Sequence, residues 1–365
     1  MKFSCEKQDL INSISNISRA VSSKSSIPAL EGVLLKAEEN KLVISGYDLE
    51  IGMTTEIPAM VTETGSVVLN AKLFSDIIRS LPEDTVSFDS DEKNLIVITS
   101  GASEFSITGI SADEYPEFPI ISDTVSVSIS HKLLKSMIRQ TIYAVAENDT
   151  KNPVHMGTLF EISGGYITLV SVDGIRLAVR KEKIATQEEF SFVVPGKTLS
   201  EVAKLLKDDD TDAALRIEKR HILFEIGNYV VLSRLLEGDF IDYKAVIPKE
   251  NATQMVLQTR RFMESVERVS LLINDRRRIP VRCIFEDDMV RISCETEIGR
   301  ANDQFPAQIS GNTVEMGFNN KYLLDALRYA EDDEVRVCLN GPFSPMTIVP
   351  KDGDAFLFLV LPVRL

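Results

Sequence analysis

Gly196-Lys197-Thr198-Leu199-Ser200-Glu201-Val202-Ala203-Lys204-Leu205-Leu206-Lys207-Asp208-Asp209-Asp210 is the stretch whose reading decides the fold. It predicts a helix over Gly196–Lys207 that runs into an aspartate triplet before a new strand. The same order of events recurs at Ala71–Leu81 followed by Glu83-Asp84, and at Asn319–Ala330 followed by Glu331-Asp332-Asp333. An aspartate triplet alone suggests a cation site. Its return at one place in a repeating pattern favours a solvated helix-to-strand turn. The repeat, with a period of about 124 residues, is the organising observation.

Working outward, each copy opens with a short strand and a first helix, at Glu6–Val21, Ser130–Ala146 and Thr259–Val269. Leu10, Ile14, Ile17 and Val21 mark one helical face in the first, Leu133, Leu134, Met137, Ile138 and Ile142 in the second, and Phe262, Val266 and Val269 in the third. A strand pair follows, containing Leu42–Glu50, Ile167–Leu177 and Val290–Ile298, with Asp48, Asp173 and Thr296 at equivalent turn positions. After the second helix come closing strands at Phe105–Ile110, Tyr229–Leu235 and Phe356–Val360. The expected fold is α+β: three tandem copies, over residues 1–122, 123–246 and 247–365, each with two helices against roughly eight antiparallel strands. No strand–helix run carries the Gly-rich turn of a dinucleotide fold.

The 365-residue chain has a net charge of −15, which taken alone argues against a nucleic-acid ligand. Its distribution argues otherwise. The six helical windows together carry a net +8, so the rest of a chain at −15 carries −23. If the six helices line one surface, that surface attracts a polyanion through its phosphates and the opposite face repels it. Lysine and arginine also simply favour helices, but glutamate favours them equally and is scarce in these windows. With no tryptophan and 7% aromatics there is no platform for stacking single-stranded bases, so duplex is the better ligand.

No catalytic or metal constellation can be assembled, and no cofactor is expected. His131, His155 and His221 lack a Cys or His at ligand spacing and read as ordinary surface or partly buried histidines. Pro195-Gly196-Lys197-Thr198 resembles the end of a phosphate-binding loop, but Ser191 stands where that loop needs glycine. Arg276-Arg277-Arg278 reads as a solvated loop or a phosphate contact. Cys5, Cys283, Cys294 and Cys338 show no CxxC spacing and read as buried thiols of a reducing cytosol. The polar start at Met1-Lys2-Phe3-Ser4-Cys5-Glu6 does not read as a signal peptide, and no apolar run is long enough to span a bilayer, so a cytoplasmic location is expected.

Met1-Lys2-Phe3, Asp173-Gly174-Ile175-Arg176-Leu177-Ala178, Glu237-Gly238-Asp239-Phe240-Ile241-Asp242-Tyr243 and Leu361-Pro362-Val363-Arg364-Leu365 together resemble the bacterial DNA polymerase III β subunit family, the sliding clamps, over the whole chain. The resemblance implies a non-enzymatic protein. Two chains would join head to tail into a ring whose helices face a central hole and encircle duplex DNA irrespective of sequence. It implies DNA contacts at Lys24, Lys72, Asn148, Lys151 and Lys197. It implies a subunit contact in which Phe105 and Ile107 meet Leu271 and Leu272 of the other chain, flanked by Glu295 and Glu297. Partners would be the polymerase catalytic subunit, a clamp loader and other proteins bearing a short apolar clamp-binding motif. Their pocket would be lined by Val172, Gly174, Ile175, Arg176, Leu177, Ile241, Val246, Leu359 and Leu361. Better-known members place leucine at His155, histidine at Ile175, proline at Ile241 and arginine at Ala245, which implies an altered motif preference. A repeat-built protein scaffold that never meets DNA is the competing expectation; retention on closed circular DNA separates the two.

Overall fold

The computed structural model describes residues 1–119, 121, 125–273 and 279–365. Arg276-Arg277-Arg278 lies outside them. The chain forms two compact units, Met1–Leu133 with Glu201–Leu235, and Leu134–Ser200 with Leu236–Leu365. The helices are α1 (Lys7–Ile17), α2 (Ala71–Ser80), α3 (His131–Ile142), α4 (Gly196–Leu205), α5 (Tyr243–Val246), α6 (Thr259–Ser270) and α7 (Asn320–Arg328). Six match the expected windows, five shortened at their ends and α6 one residue longer; α1 tightens into a 3-10 turn over Ser18–Ala20. The four-residue α5 was not expected. It is too short to show helical periodicity.

The triplication is visible in strand register. In each copy the opening strand pairs antiparallel with the strand that follows the acidic turn, ending at Glu6↔Thr85, Ser130↔Asp212 and Gln258↔Glu334. That turn then serves the first helix. Asp84 O accepts from Lys7 N (2.6 Å), Thr211 O from His131 N (2.7 Å) and Asp333 O from Thr259 N (2.9 Å). Each bond satisfies one of the amides that a helix N-terminus leaves open. The acidic clusters are therefore structural turns, and among the described residues no group of three metal-ligating side chains is assembled. His131 departs from expectation. It is buried, with Nδ1 3.4 Å from Asp209 Oδ1, because it opens α3 directly under this turn.

The other half of each copy, lying between its two helices in sequence, is a four-strand element with one connectivity. Gly32–Glu38, Lys41–Tyr47, Ile51–Pro58 and Gly65–Asn70 in the first copy correspond to Gly157–Ser163, Tyr166–Val172, Arg176–Lys183 and Phe190–Pro195 in the second. Val281–Glu286, Met289–Thr296, Gly299–Pro306 and Val314–Phe318 repeat it in the third. The turn after its second strand is built alike in all three. Asp48 Oδ1 accepts from Glu50 N and Ile51 N, Asp173 Oδ1 from Ile175 N and Arg176 N, and Thr296 Oγ1 from Ile298 N. These are local side-chain-to-backbone turns, which Asp and Thr make readily.

Copies share sheets. Tyr229–Arg234, which closes the first half of copy two, pairs with Ile51–Pro58 of copy one, placing Tyr229 opposite Thr55 and Val231 opposite Met53. Phe356–Val360 of copy three pairs with Arg176–Lys183 of copy two, placing Phe356 opposite Arg180 and Phe358 opposite Ala178. The eight- and nine-stranded sheets that result each belong to one unit, and the unit boundary consequently runs through copy two. Two strands equivalent to these joining strands remain at sheet edges: Ser103–Thr108 in the first unit and Gly299–Pro306 in the second. All four cysteines are buried free thiols, and burial pushes those of Cys5 and Cys283 up to about 12.

Candidate functional site

The sheet face turned away from the helices decides where a ligand can enter. Gly46 points at Ile17 of α1, so the next residue, Tyr47, faces the other way. On that side each copy returns its following segment to the fourth strand, through the bridges Val68↔Ile110, Val193↔Leu236 and Gly317↔Val363. In copy one the returning segment closes the face. Tyr115 is buried with Ala29, Leu30, Tyr47 and Val68, and Phe118 stacks on Tyr47 with centroids 4.8 Å apart. A Cβ on Gly52 would stand 2.4 Å from Phe118 Cε1, so this closure requires glycine there. In copy three the corresponding positions are Arg282, Ser293, Glu295, Arg300 and Gly317, a polar set with no apolar floor.

Copy two differs from both. Leu159, Val170, Val172, Leu177, Val193, Tyr243 and Leu359 form a buried apolar floor, with Phe240, Ile241 and Ile247 packed against it. Leu177 is the register partner of both Val172 and Leu359, which fixes these three side by side. Tyr243 is held by a hydrogen bond from its hydroxyl to Glu161 Oε2 (2.5 Å). Burial, with the adjoining Glu161, pushes its phenol pKa well up, so it remains a donor. Around the floor stands an exposed aliphatic rim: Ile175, Val246 and Leu361. Leu361 N donates to Ile175 O (2.9 Å), and Val363 N to Gly317 O (2.9 Å), pinning the C-terminal segment along the rim. Gly174 adopts φ +85, and a Cβ there would meet nothing within 4 Å, so that flank is open.

Arg176 is the polar member. Its Nε reaches Asp173 Oδ2 (2.9 Å) and its Nη1 reaches Asp325 Oδ2 (2.6 Å) on α7. Its guanidinium lies over the rings of Tyr322 and Tyr143, 4.7 and 5.5 Å from their centroids. All nine residues expected to line a pocket fall in one unit; Val172, Leu177 and Leu359 belong to the floor with Ile241 packed against it, and Arg176 and Leu361 adjoin it on paired segments. Sequence reasoning missed Phe240 and Tyr243 as floor residues, although both lie in a segment already noted, and missed Asp325 and Tyr322, which are separated from Arg176 by more than the length of a copy. His155 stands at the end of the groove, its Nδ1 3.1 Å from Asp149 Oδ2 and its ring edge-on to Phe240. An apolar floor with an aliphatic rim and one buried cation accepts the apolar side chains of a short peptide.

The expected DNA contacts are distributed over both units. Lys24, Lys72, Asn148, Lys151 and Lys197 are all exposed. Lys24, Lys72 and Lys151 have no carboxylate partner among the described residues. In the third copy Arg260 pairs with Glu264 and Arg328 with Glu267 and Asp325, carboxylates already set against them in the helical count, while Arg268 pairs with Asp303 from outside the helices. The expected subunit-contact residues lie at the two open edges. Phe105 and Ile107 are half-buried on Ser103–Thr108. Leu271 is 83% exposed beyond α6, with Leu272 half-buried beside it and Glu295 and Glu297 exposed on the neighbouring hairpin. Ile298, 80% exposed in the same hairpin, was not anticipated.

Family models of the DNA polymerase III beta subunit match the N-terminal domain over residues 1–119, the central domain over 128–242 and the C-terminal domain over 244–364. The beta sliding clamp of Bacillus subtilis (strain 168) is 33% identical over 377 residues, covering the whole of both chains. The crystal structure of the B. subtilis sliding clamp superposes with a TM-score of 0.97 at 33% identity, covering 100% of this chain and 99% of that one. The sliding clamp of Pseudomonas aeruginosa bound to griselimycin superposes with a TM-score of 0.94 at 27% identity, covering 100% of both chains. Three tandem clamp domains, with the sheet and helix order described above, place this chain in the DNA polymerase III beta subunit family, the non-catalytic beta sliding clamps.

Proposed function

We propose that two copies of this chain close into a ring around duplex DNA and tether a polymerase through the groove on copy two. The observation that carries this reading is the pair of open edges. Ser103–Thr108 and Gly299–Pro306 are the counterparts of strands that already pair twice within the chain. Applying the register of those internal joints sets Ser103 opposite Asp303 of the partner subunit, Phe105 opposite Ala301 of the partner subunit and Ile107 opposite Gly299 of the partner subunit. The exposed Leu271 and Ile298 would be covered at that seam. A contact between unlike surfaces makes a closed ring when its rotation permits. Domain boundaries near 122 and 246 suit this reading, since each falls between one copy's returning segment and the next copy's opening strand.

Binding to DNA would rest on exposed Lys24, Lys72, Lys151 and Lys197, with Asn148 beside them, acting on phosphates without reading bases. Topological closure allows those contacts to stay weak while a docked polymerase remains at high effective concentration. Loading would fall to a separate ATP-driven clamp loader, and the site of action is the cytoplasm; no helix of the described residues is long and apolar enough to cross a membrane. The groove would take the short apolar motif of the polymerase catalytic subunit and of other clamp clients, and griselimycin is the available probe for it.

The deciding experiment loads the protein on nicked circular duplex with a clamp loader and then linearises the DNA. A ring is retained on the circle and lost on linearisation. A protein scaffold shows neither behaviour. Substituting Lys24 and Lys197 by alanine should weaken loading equally on all sequences and flatten its salt dependence; a sequence-selective loss would oppose the phosphate assignment.

A further inference from the structure

The turn at Asp173–Arg176 forms one lip of the groove and, like its copy-one counterpart, where Glu50 O accepts from Arg234 N, it is bonded to a distant segment through its backbone. In copy one the residue equivalent to Arg176 is Ile51, and in copy three it is Gly299. In copy two a side chain of the turn also reaches a distant element. The Arg176 side chain, 13% exposed, spends Nε on Asp173 and Nη1 on Asp325, 149 residues further along the chain. Tyr322, one turn before Asp325 on α7, lies against the guanidinium, so two groups of one helix hold it. We infer that Asp325 is a positioning residue for the groove: acting through Arg176, it fixes the lip that carries Gly174 and Ile175 and whose Ile175 carbonyl receives Leu361 N.

The physical argument is one of charge placement. A guanidinium removed from water needs its N–H groups directed at carboxylates, and a planar fork presented to two of them has little freedom left. Asp173 alone satisfies one edge and already belongs to the turn, so it cannot fix the turn against the rest of the unit. Asp325 supplies the external reference. Without it, the Arg176 side chain keeps Asp173 and the flanking rings but loses its second carboxylate, and a ligand then bears more of the cost of ordering it on binding.

This rests on the groove being the client site, and griselimycin titrated into the intact protein separates the two questions. No binding to the unaltered protein overturns the site assignment itself. Given that binding, D325N is expected to weaken it about tenfold, corresponding to the loss of one charged partner, while D325E restores it to within about threefold. In an R176Q background, itself weakened, D325N should cause no further loss, because the two act as one unit. Unchanged affinity in D325N, or losses that simply add between D325N and R176Q, overturns the inference. Should D325N not fold, D325E measured with and without R176Q gives the same test, since an effect that persists in R176Q shows that Asp325 does not act through the arginine.

Discussion

The outer faces of copies one and two start from the same strand connectivity and reach opposite outcomes. In copy one a returning segment lays Tyr115 and Phe118 across Tyr47 and Gly52, and the face is closed. In copy two the equivalent of Gly52 is Leu177, which fills the place an aromatic ring would need, and the returning segment runs aside into α5. Its apolar floor is left beneath an open rim. The small-to-large exchange of Gly52 for Leu177 thus goes with the difference between a plugged face and an open one.

The largest effect expected is on copy two alone. Deleting Leu361–Leu365 removes the rim segment bonded to Ile175 and Gly317, and griselimycin affinity measured by calorimetry should fall by about 100-fold or more, with dimer mass unchanged. Retained affinity would mean that the groove does not depend on this rim. Next, Gly52→Leu imports the copy-two residue into copy one. With Phe118 already at contact, it should destabilise the first unit by about 3 kcal/mol in denaturant unfolding; a neutral result would show that the plug moves freely. Phe118→Ala deletes the plug and should cost about 2 kcal/mol, less than a fully buried phenylalanine because Phe118 is only half-buried.

The smallest effects concern the turns. Leu49 in copy one adopts φ 76, where copy two has Gly174 at φ 85. Leu49→Gly should be neutral or stabilise by about 0.5 kcal/mol, since the relief of left-handed strain is partly offset by glycine's greater unfolded-state freedom. Gly174→Leu should cost about 1 kcal/mol through the backbone alone, no neighbour standing within contact of a Cβ there. Equal responses at the two positions would deny that the turns are equivalent.

How much of this was legible beforehand follows from the range of the interactions. The helices, the acidic turns and the equivalence of Asp48, Asp173 and Thr296 are local patterns, and periodicity exposed them. The sharing of sheets between copies was not legible, because nothing in Tyr229–Arg234 names Ile51–Pro58 as its partner. The groove residues entered through a family resemblance, not through chemistry readable in the chain. Phe118 as a plug and Asp325 as an anchor had no sequence signal, since each depends on a contact made across folded elements. The charge argument was coarser than the fold: it set each helix's charges against one another but could not see that Asp303, on a neighbouring strand, pairs with Arg268 of α6.

The matched edge strands have a mechanical implication. Within one chain, the two internal seams are tied by covalent connections that keep the strands near each other even when their hydrogen bonds open. The seam proposed between chains would have the same kind of pairing without any tether, so separation there would not be followed by automatic return. In the proposed ring, failure under an opening force would concentrate at the untethered joints, which would serve the circle as latches.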